Sequence, residues 1–276
     1  MSLQETATIA RKEVRDALRN RWFLIYTAAF AVLSLALAWL SLAGTGRYGF
    51  AGFGKTTAGL INLVLLIVPL MALTIGSGSI AGERERRTLE YLLSQPVTRG
   101  EVLLGKFLGL AAALCASICL GFGLAAAAIS MQGGGGESKA FAAFLGLTLL
   151  LCLAMLGLGL LVSVLSSRTA VAAGVALFLW LALVFFSDLG LIGGTVAFRL
   201  QVTDLFRLSL LNPLQVFKMS AINCLPTTMD VLGPAGQYAR HTFGDRLYLL
   251  FGLSLGAWTV VPIAAALLLF RRRRLT

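Results

Sequence analysis

The sequence is poor in the side chains that perform chemistry in enzymes. It contains one histidine, His241, and 12 acidic residues, most of which lie outside its long apolar runs. No Ser-His-Asp set and no pair of carboxylates is placed to move protons within an apolar run. We therefore expect no catalytic site in this chain and no directly bound cofactor.

Cysteine is also scarce, with four residues in the chain. Cys115, Cys119 and Cys152 lie inside apolar runs, where cysteine most often acts as a small apolar residue. A disulfide framework is therefore not expected. Cys115 with Cys119, and Cys152 with Met155, stand at helical spacing, so a path for a soft metal is the alternative to simple packing.

Charged residues make up only 13% of the sequence, whereas 58% of its residues are hydrophobic. A soluble domain of this size could not bury so much apolar surface. Six apolar runs each reach the roughly 20 residues that cross a bilayer as a helix. They lie near residues 22–43, 58–80, 102–130, 140–165, 169–187 and 247–270. The sequence thus predicts an all-α polytopic membrane protein with six transmembrane helices.

Basic residues are distributed unevenly between the two faces that six spans define. Both termini share one face, which carries fifteen of the 23 basic residues, whereas the other face carries eight. Because loops rich in Lys and Arg remain in the cytoplasm, both termini are expected there. The net charge of +11 therefore reflects orientation in a lipid bilayer, and nucleic acid is not expected as a partner.

An amphipathic helix is predicted before the first span. Apolar side chains recur at steps of three and four within residues 2–20, at Leu3, Ala7, Ala10, Val14, Ala17 and Leu18. Arg11, Lys12, Arg15 and Arg19 stand elsewhere around the helix. Such a helix lies flat on the inner leaflet and forms an interfacial elbow before the span that starts at Trp22.

The most densely charged interruption between apolar runs lies at residues 82–106, GERERRTLEYLLSQPVTRGEVLLGK. Glu83 with Arg87, and Arg86 with Glu90, stand at i, i+4 and favour a short surface helix. Its apolar edge would consist of Leu89, Leu92 and Leu93. The pattern indicates a docking element, and an ordinary basic cytoplasmic loop is the alternative.

The same segment carries signals for where its helices end and begin. Pro96 ends the first helix, and Thr98 stands three residues before Glu101. The hydroxyl and the carboxylate can then satisfy the first free amides of a new helix reciprocally, as a capping box. Two helices are therefore predicted to meet at residues 94–98.

A phosphate-loop pattern, G-x-x-x-x-G-K-[ST], is matched by Gly49, Gly54, Lys55 and Thr56. A nucleotide site would need a preceding strand and a following helix whose free amides point at the phosphates. This match follows a membrane span and faces outward. We interpret it as a chance match.

The longest segment between spans, residues 188–246, is predicted to form a helical outer subdomain. Asn212 and Pro213 fit the cap and first turn of a helix. That helix would present an apolar face to an outer partner, formed by Leu214, Phe217, Ala221 and Ile222. A copper site is the alternative, although its candidate ligands are irregularly spaced: Met219, Cys224 and Met229.

An elbow helix, six spans and a docking loop without a motor domain resemble the type-two permease family of ABC exporters. The resemblance covers all 276 residues, as one permease domain with an elbow at 2–20, a cytoplasmic coupling loop at 82–101 and a periplasmic insertion at 188–246. In this family the matching loop sits in a groove of a separate cytoplasmic ATPase. The resemblance assigns that contact to Glu83, Arg86, Arg87, Glu90, Leu92, Leu93 and Pro96.

A narrower resemblance comes from the outer segment. The stretches LLNPLQVFKMSAI (210–222) and GPAG (233–236) are similar to permeases of nitrous-oxide-reductase maturation systems. This resemblance implies a homodimer in the bacterial inner membrane, a cytoplasmic ABC ATPase that hydrolyses ATP, and a periplasmic partner protein. It also implies service to the assembly of the copper-sulfur centre of nitrous oxide reductase.

Two functions of other classes fit parts of the sequence. A secondary transporter would need coupling charges or a repeat of broken helices at mid-membrane, and the apolar runs show neither. A non-transporting membrane scaffold would have much the same sequence features. Dependence of a cytoplasmic ATPase on this chain would distinguish the permease from both.

The charge distribution yields a prediction about topology. Single cysteines that replace Arg87 and Arg273 should react with membrane-impermeant reagents only from the cytoplasm, whereas those replacing Lys139 and Arg240 should react only from outside. Accessibility labelling of intact cells and of inverted vesicles measures this. Labelling of position 240 from the cytoplasm alone would contradict six spans.

Overall fold

The computed structural model describes residues 3–43, 51–95, 97–130, 138–196, 201–223, 242, 244 and 246–272. Helices account for nearly all of these residues, and no strand occurs among them. The helices, numbered here in chain order, are α1 Leu3–Arg19, α2 Arg21–Ala43, α3 Ala51–Glu85, α4 Thr88–Leu93, α5 Arg99–Ser130, α6 Ser138–Leu165, α7 Thr169–Val196, α8 Val202–Leu210, α9 Pro213–Asn223 and α10 Arg246–Arg272.

Six of these helices, α2, α3, α5, α6, α7 and α10, are long and apolar enough to cross a membrane. They coincide with the six predicted runs, which confirms the prediction of an all-α membrane protein with six spans. With about 1.5 Å of rise per residue, the 35 residues of α3 extend about 52 Å, well beyond a hydrocarbon core of about 30 Å. Helix α3 therefore projects from the membrane.

The structure does not support a phosphate-binding loop at the match to G-x-x-x-x-G-K-[ST]. Gly54, Lys55 and Thr56 lie in the first turns of α3, which begins at Ala51. Their backbone is helical, and no strand precedes them in the part of the chain that the structure describes. The loop that would cradle phosphates is therefore absent at these positions.

Helices α3 and α6 cross at the centre of the bundle through two glycines. A Cβ atom placed on Gly159 would lie 2.9 Å from the carbonyl oxygen of Leu73, and one on Gly76 would lie 3.0 Å from that of Leu156. One turn further along, the Ser163 hydroxyl oxygen accepts the backbone N–H groups of two α3 residues at 2.9 Å each. Small residues thus bring these two backbones into contact.

Aromatic rings join four helices at the opposite end of the bundle from α4. Phe122 of α5 lies edge-on to Phe30 of α2 and to Phe144 of α6, with ring centroids 5.5 Å apart in both pairs. Phe144 in turn contacts Phe217 of α9 at 5.9 Å. Helix α9 therefore belongs to the packed core of the bundle.

The α8–α9 pair turns inside the bundle. Asn212 caps α9 as predicted, because its side-chain oxygen accepts the N–H of Leu214 at 3.0 Å. Its amide also donates to the carbonyl of Leu183 at 2.7 Å, and the Trp258 indole donates to the carbonyl of Leu210 at 3.2 Å. Leu183 lies 14 residues after the start of α7, and Trp258 lies 14 residues before the end of α10. These two helix termini lie at the same end of the bundle, so the turn is about 21 Å from that end, within the depth of the membrane.

This placement corrects the prediction that α9 offers an apolar docking face. Leu214, Phe217 and Ala221 are 1%, 0% and 0% exposed, and Ile222 is half-buried against the same core. Val216 and Gln215, on other sides of the helix, are buried as well. Helix α9 is covered by its own chain because α6, α7, α8 and α10 surround it.

The buried position of Phe217 predicts a stability defect. Phe217→Ala should lower the unfolding free energy by about 3–5 kcal/mol, since truncating a buried aromatic leaves a cavity. The matched control is Phe186→Ala, which removes a ring that is 75% exposed and should change stability little. Thermal unfolding of the purified variants in detergent compares them, and equal unfolding temperatures would contradict the buried position.

Candidate functional site

The site is built where α3 leaves the bundle and the chain turns into α4. Here α3, α6 and α10 end and α5 and α7 begin, so we call this region the basic end after its arginines: Arg84, Arg86, Arg87, Arg99, Arg168, Arg271 and Arg272. Helix α3 stops at Glu85, and Arg87 adopts φ 58°, a left-handed conformation that is rare for residues other than glycine. The chain therefore changes direction at Arg87.

This break corrects the predicted pairing of the loop. Helix α3 ends at Glu85, Arg86 and Arg87 form a turn, and α4 begins at Thr88. Glu83 and Arg87 therefore do not form an i, i+4 pair within one helix, and neither do Arg86 and Glu90. Arg86, Arg87 and Glu90 are all exposed. A surface helix does follow, but it begins only at Thr88 and is six residues long.

The predicted capping box is confirmed. The N–H of Thr98 donates to the Glu101 carboxylate at 2.8 Å, and the N–H of Glu101 donates to the Thr98 hydroxyl oxygen at 3.3 Å. Helix α5 begins at Arg99, directly after this cap. The two helices therefore meet within the predicted residues 94–98, of which Pro96 lies outside the described part of the chain.

Helix α4 is anchored by one face and exposed on the other. Leu89 is 1% exposed and packs into a cluster contributed by four spans: Ile80, Leu103, Leu160, Val164, Ala266 and Phe270. On the outward side Tyr91 is 73% exposed, and Leu92 is half-buried. The side chain of Leu93 is not among those described. A force on α4 therefore reaches α3, α5, α6 and α10 through Leu89.

Residues on both sides of α4 hold the ends of neighbouring helices. The Arg84 guanidinium donates to the carbonyl of Ser166 at 2.6 Å, where α6 ends, and Arg99 donates to the carbonyl of Phe270 at 3.0 Å, where α10 ends. Glu85 accepts both the backbone N–H and the hydroxyl of Thr169, the first residue of α7. Apart from the bond from the Thr169 hydroxyl, each of these bonds satisfies a backbone group that a helix end leaves free.

Near the end of α3 lies a cluster of four charged groups, of which Lys106 and Glu13 are buried. The Lys106 ammonium is 2.7 Å from Oε1 of Glu13 and 2.9 Å from Oε1 of Glu83, and Lys12 is 3.3 Å from the same Glu83 oxygen. Lys106 is 1% exposed and Glu13 is 7% exposed. The cluster ties α1, α3 and α5 together, and its two carboxylates balance its two ammonium groups.

Electrostatics at the rim of the cluster favour the charged lysine. Partial burial opposes the charge of Lys12, but the carboxylates of Glu83 and Glu13 outweigh this effect and raise the pKa of Lys12 above its ordinary value. Lys12 therefore remains an ammonium at physiological pH and supports Glu83 from the solvent side.

Two glycines of α5 allow α1 to approach the cluster. A Cβ atom on Gly109 would lie 2.5 Å from the carbonyl oxygen of Ala10 and 2.7 Å from the Cβ of Glu13, and one on Gly105 would lie 2.8 Å from Ile9. Any side chain at these positions would push α1 away. The G-x-x-x-G spacing thus brings the Glu13 carboxylate to Lys106.

The structure places the predicted site residues in different surroundings. The exposed loop residues Arg86, Arg87 and Glu90 stay near one another around α4, whereas Glu83 is engaged inside the cluster. The α9 residues form core, and so does Met219, at 2% exposure. Cys224 and Met229 lie outside the described residues. No group of three or more His, Cys, Asp and Glu side chains fit to hold a metal ion occurs in the part of the chain that the structure describes.

Sequence reasoning missed Lys106 and Glu13. Lys106 stands eight positions into α5, past the polar cap and inside an apolar stretch, which is where a charge needs a buried partner. Glu13 follows Lys12 directly and lies among the basic residues of α1. The lysine within an apolar stretch and the glutamate among basic residues were the features by which the sequence could have indicated a site. That the two side chains pair with each other depends on tertiary contact.

The sequence is similar to known proteins over nearly its full length. The family described as ABC-2 family transporter protein matches residues 7–275. A protein of Pseudomonas aeruginosa named probable ABC transporter permease protein NosY is 36% identical over 272 residues, covering 96% of this chain and 98% of the relative. A protein of Stutzerimonas stutzeri with the same name is 34% identical over 287 residues, covering 98% and 99%.

The charge cluster predicts unequal effects of two identical substitutions. Lys106→Met leaves Glu13 and Glu83 without their buried counter-charge and should cost about 3–5 kcal/mol of stability. Lys12→Met removes an ammonium that is 52% exposed and should cost about 1 kcal/mol or less. Thermal unfolding in detergent measures both.

A second change tests whether the effect is electrostatic. Adding Glu13→Gln to Lys106→Met removes one of the two stranded carboxylates and should recover part of the lost stability. If the double variant were less stable than Lys106→Met alone, packing would be the dominant contribution of Lys106.

Proposed function

The chain belongs to the ABC-2 family of transporter proteins, and from this premise we propose that it transmits the work of a separate cytoplasmic ATPase to the outer side of the membrane. It is a permease subunit of an ABC transporter and a multi-pass membrane protein, as its family and relatives indicate. ATP hydrolysis resides in the partner ATPase, and this chain supplies the membrane path and the docking surface.

The observation that carries the proposal is the position of α4. Its outward side, with Tyr91 and Glu90, provides a compact contact for the ATPase, with Arg86 and Arg87 beside it. Its inward side is held by Leu89 in a cluster shared by four spans. A short helix seated on four spans is suited to convert movement of a docked ATPase into movement of the bundle.

The basic end is the cytoplasmic end in this proposal, and both termini lie there. The excess of Lys and Arg at that end supports this orientation in the bacterial inner membrane. Helix α1, within the elbow at residues 2–20, lies along the inner leaflet, and residues 82–101 form the coupling loop. The segment 188–246 faces the periplasm except where α8 and α9 insert into the bundle.

The narrower role follows the relatives named NosY. We propose that the chain works as a homodimer with a NosF-like ATPase and a NosD-like periplasmic protein in the assembly of the copper-sulfur centre of nitrous oxide reductase. Its identity of 34–36% over nearly the full length supports this proposal. Contact with the periplasmic protein is assigned to the outer end of the bundle, because the apolar face of α9 is covered.

The coupling surface is tested with the two partners co-expressed. Tyr91→Ala and Glu90→Lys should each lower co-purification of the ATPase by tenfold or more, which corresponds to about 1.4 kcal/mol, while the permease still inserts and folds. Tyr248→Ala is the matched control, since this tyrosine is 50% exposed near the opposite end of the bundle. Glu83→Lys is unsuitable, because it would place a third ammonium beside Lys106 and Lys12.

Hydrolysis separates this function from the two alternatives. ATPase activity should depend on the wild-type chain in proteoliposomes and should fall in the α4 variants. A secondary transporter or a passive scaffold would leave hydrolysis unchanged by its presence. Normal binding and normal stimulation with both α4 variants would refute the assignment of this surface.

A further inference from the structure

A cavity of about 620 Å³ lies at the basic end, beside the charge cluster. Its walls come from α1, α2, α3, α5 and α7. Charged and hydroxyl groups line one part, including Asp16, Glu83 and Arg86, and apolar side chains line the rest, including Phe23, Ile75 and Leu110. Such a division suits a ligand with a polar head and an apolar remainder.

Glu83 carries an acceptor that the described residues leave unused. Its Oε1 atom is held by Lys106 and Lys12, but Oε2 is buried and has no hydrogen-bond partner among the residues that the structure describes. Buried carboxylate oxygens are ordinarily hydrogen-bonded. The last torsion of a Glu side chain is soft, so a small rotation turns this oxygen towards a donor in the cavity.

The charges around the cavity favour a zwitterion over an ion. Three lining carboxylates, of Glu13, Asp16 and Glu83, face two lining cations, Arg86 and Lys106. Glu13 and Lys106 neutralise each other at 2.7 Å. Glu83 is balanced by Lys12 and Lys106, but its Oε2 can still accept a hydrogen bond. This leaves Asp16 to receive a positive group and Arg86 to receive a negative one.

The cavity lies at the depth of lipid headgroups. Trp22 and Tyr26 line it at the start of α2, where aromatic rings mark the interface between membrane and water. Trp22 is 67% exposed, and Ala173 on the α7 side is exposed as well. The lining of the cavity is therefore exposed on the side between α2 and α7.

We propose that this cavity binds the headgroup of a phospholipid that carries a primary ammonium group, such as phosphatidylethanolamine. The ammonium donates hydrogen bonds to the carboxylates of Asp16 and Glu83, and Arg86 pairs with the phosphate. The acyl chains leave past Trp22 along α2. A metal ion is a poorer occupant, because the described residues provide no cluster of three or more His, Cys, Asp or Glu ligands.

The first test uses the wild-type chain and a series of lipids whose headgroups lose their N–H donors one at a time. Native mass spectrometry of the purified protein is carried out with phosphatidylethanolamine, its N-methyl and N,N-dimethyl derivatives, and phosphatidylcholine, all with the same acyl chains. Binding should fall stepwise and be at least fivefold weaker for phosphatidylcholine, which has no N–H to donate. Equal binding across this series would overturn the proposal.

Variants then locate the site. Glu83→Gln and Asp16→Asn should each weaken phosphatidylethanolamine binding at least threefold, whereas Asp204→Asn should not, because this half-exposed carboxylate lies on α8, outside the cavity. Arg86→Gln should weaken phosphatidylethanolamine and phosphatidylcholine by the same factor, because both carry the phosphate. Asp16 is exposed and outside the charge cluster, so Asp16→Asn remains informative if Glu83→Gln unfolds. Unchanged binding in a folded Asp16→Asn variant would refute the site.

A soluble competitor distinguishes the membrane lipid from a free amine. O-phosphoethanolamine carries the same ammonium and phosphate without acyl chains. Failure to displace the lipid at a hundredfold excess is the expected result, since the apolar part of the cavity would remain empty. Displacement at equal concentration would show that the site takes a soluble amine and overturn the lipid assignment. None of these measurements involves the ATPase, so their result is independent of the coupling proposal.

Discussion

The architecture of the basic end depends on one buried ammonium group, that of Lys106. An isolated charge at 1% exposure carries a large desolvation penalty, which the carboxylates of Glu13 and Glu83 offset at 2.7 and 2.9 Å. Removing either partner weakens that compensation, so the positions of α1 and α3 against α5 are specified together. The net stabilisation by such pairs is small, but the arrangement that satisfies them is unique.

The glycines of α5 and this ion pair require each other. Without Gly105 and Gly109, α1 could not approach closely enough for Glu13 to reach Lys106. Without Glu13, the close approach would leave a buried ammonium with Glu83 as its remaining carboxylate partner in the cluster. A close backbone contact therefore determines where a charge can be buried, and the charge in turn selects that contact over other positions of an amphipathic helix.

The features that sequence predicted correctly are those set by neighbours along the chain. The six spans follow from composition, and the Thr98–Glu101 box and the Asn212 cap follow from spacings of two or three residues. The partner of Glu83 could not be predicted from neighbours along the chain, because both Arg87 at i+4 and Lys106 carry the opposite charge. Burial decides in favour of Lys106, since an exposed arginine is solvated by water and a buried ammonium is not.

The error at α9 has a different physical origin. The apolar face was identified correctly, but an amphipathic pattern does not say whether a partner or the same chain covers it. Gln215 and Ser220 on the remaining sides are also buried, so the helix is enclosed by its own chain. The same ambiguity does not affect α4, because Tyr91 remains 73% exposed while Leu89 is fully covered.

Glu83 connects the charge cluster to the cavity and to α4. One of its oxygens belongs to the cluster, its side chain lines the cavity, and α3 ends two residues later, before the turn at Arg87. A displacement of α4 that turns the end of α3 therefore moves this carboxylate relative to both Lys106 and any ligand. A ligand that binds more tightly to one orientation of α3 raises the population of that orientation. By linkage, a displacement of α4 that favours the same orientation raises the affinity for the ligand by an equal factor. A ligand with equal affinity for both orientations of α3 leaves their populations unchanged. Whether this site affects the coupling between α4 and the bundle therefore depends on the difference between the two affinities, and not on occupancy.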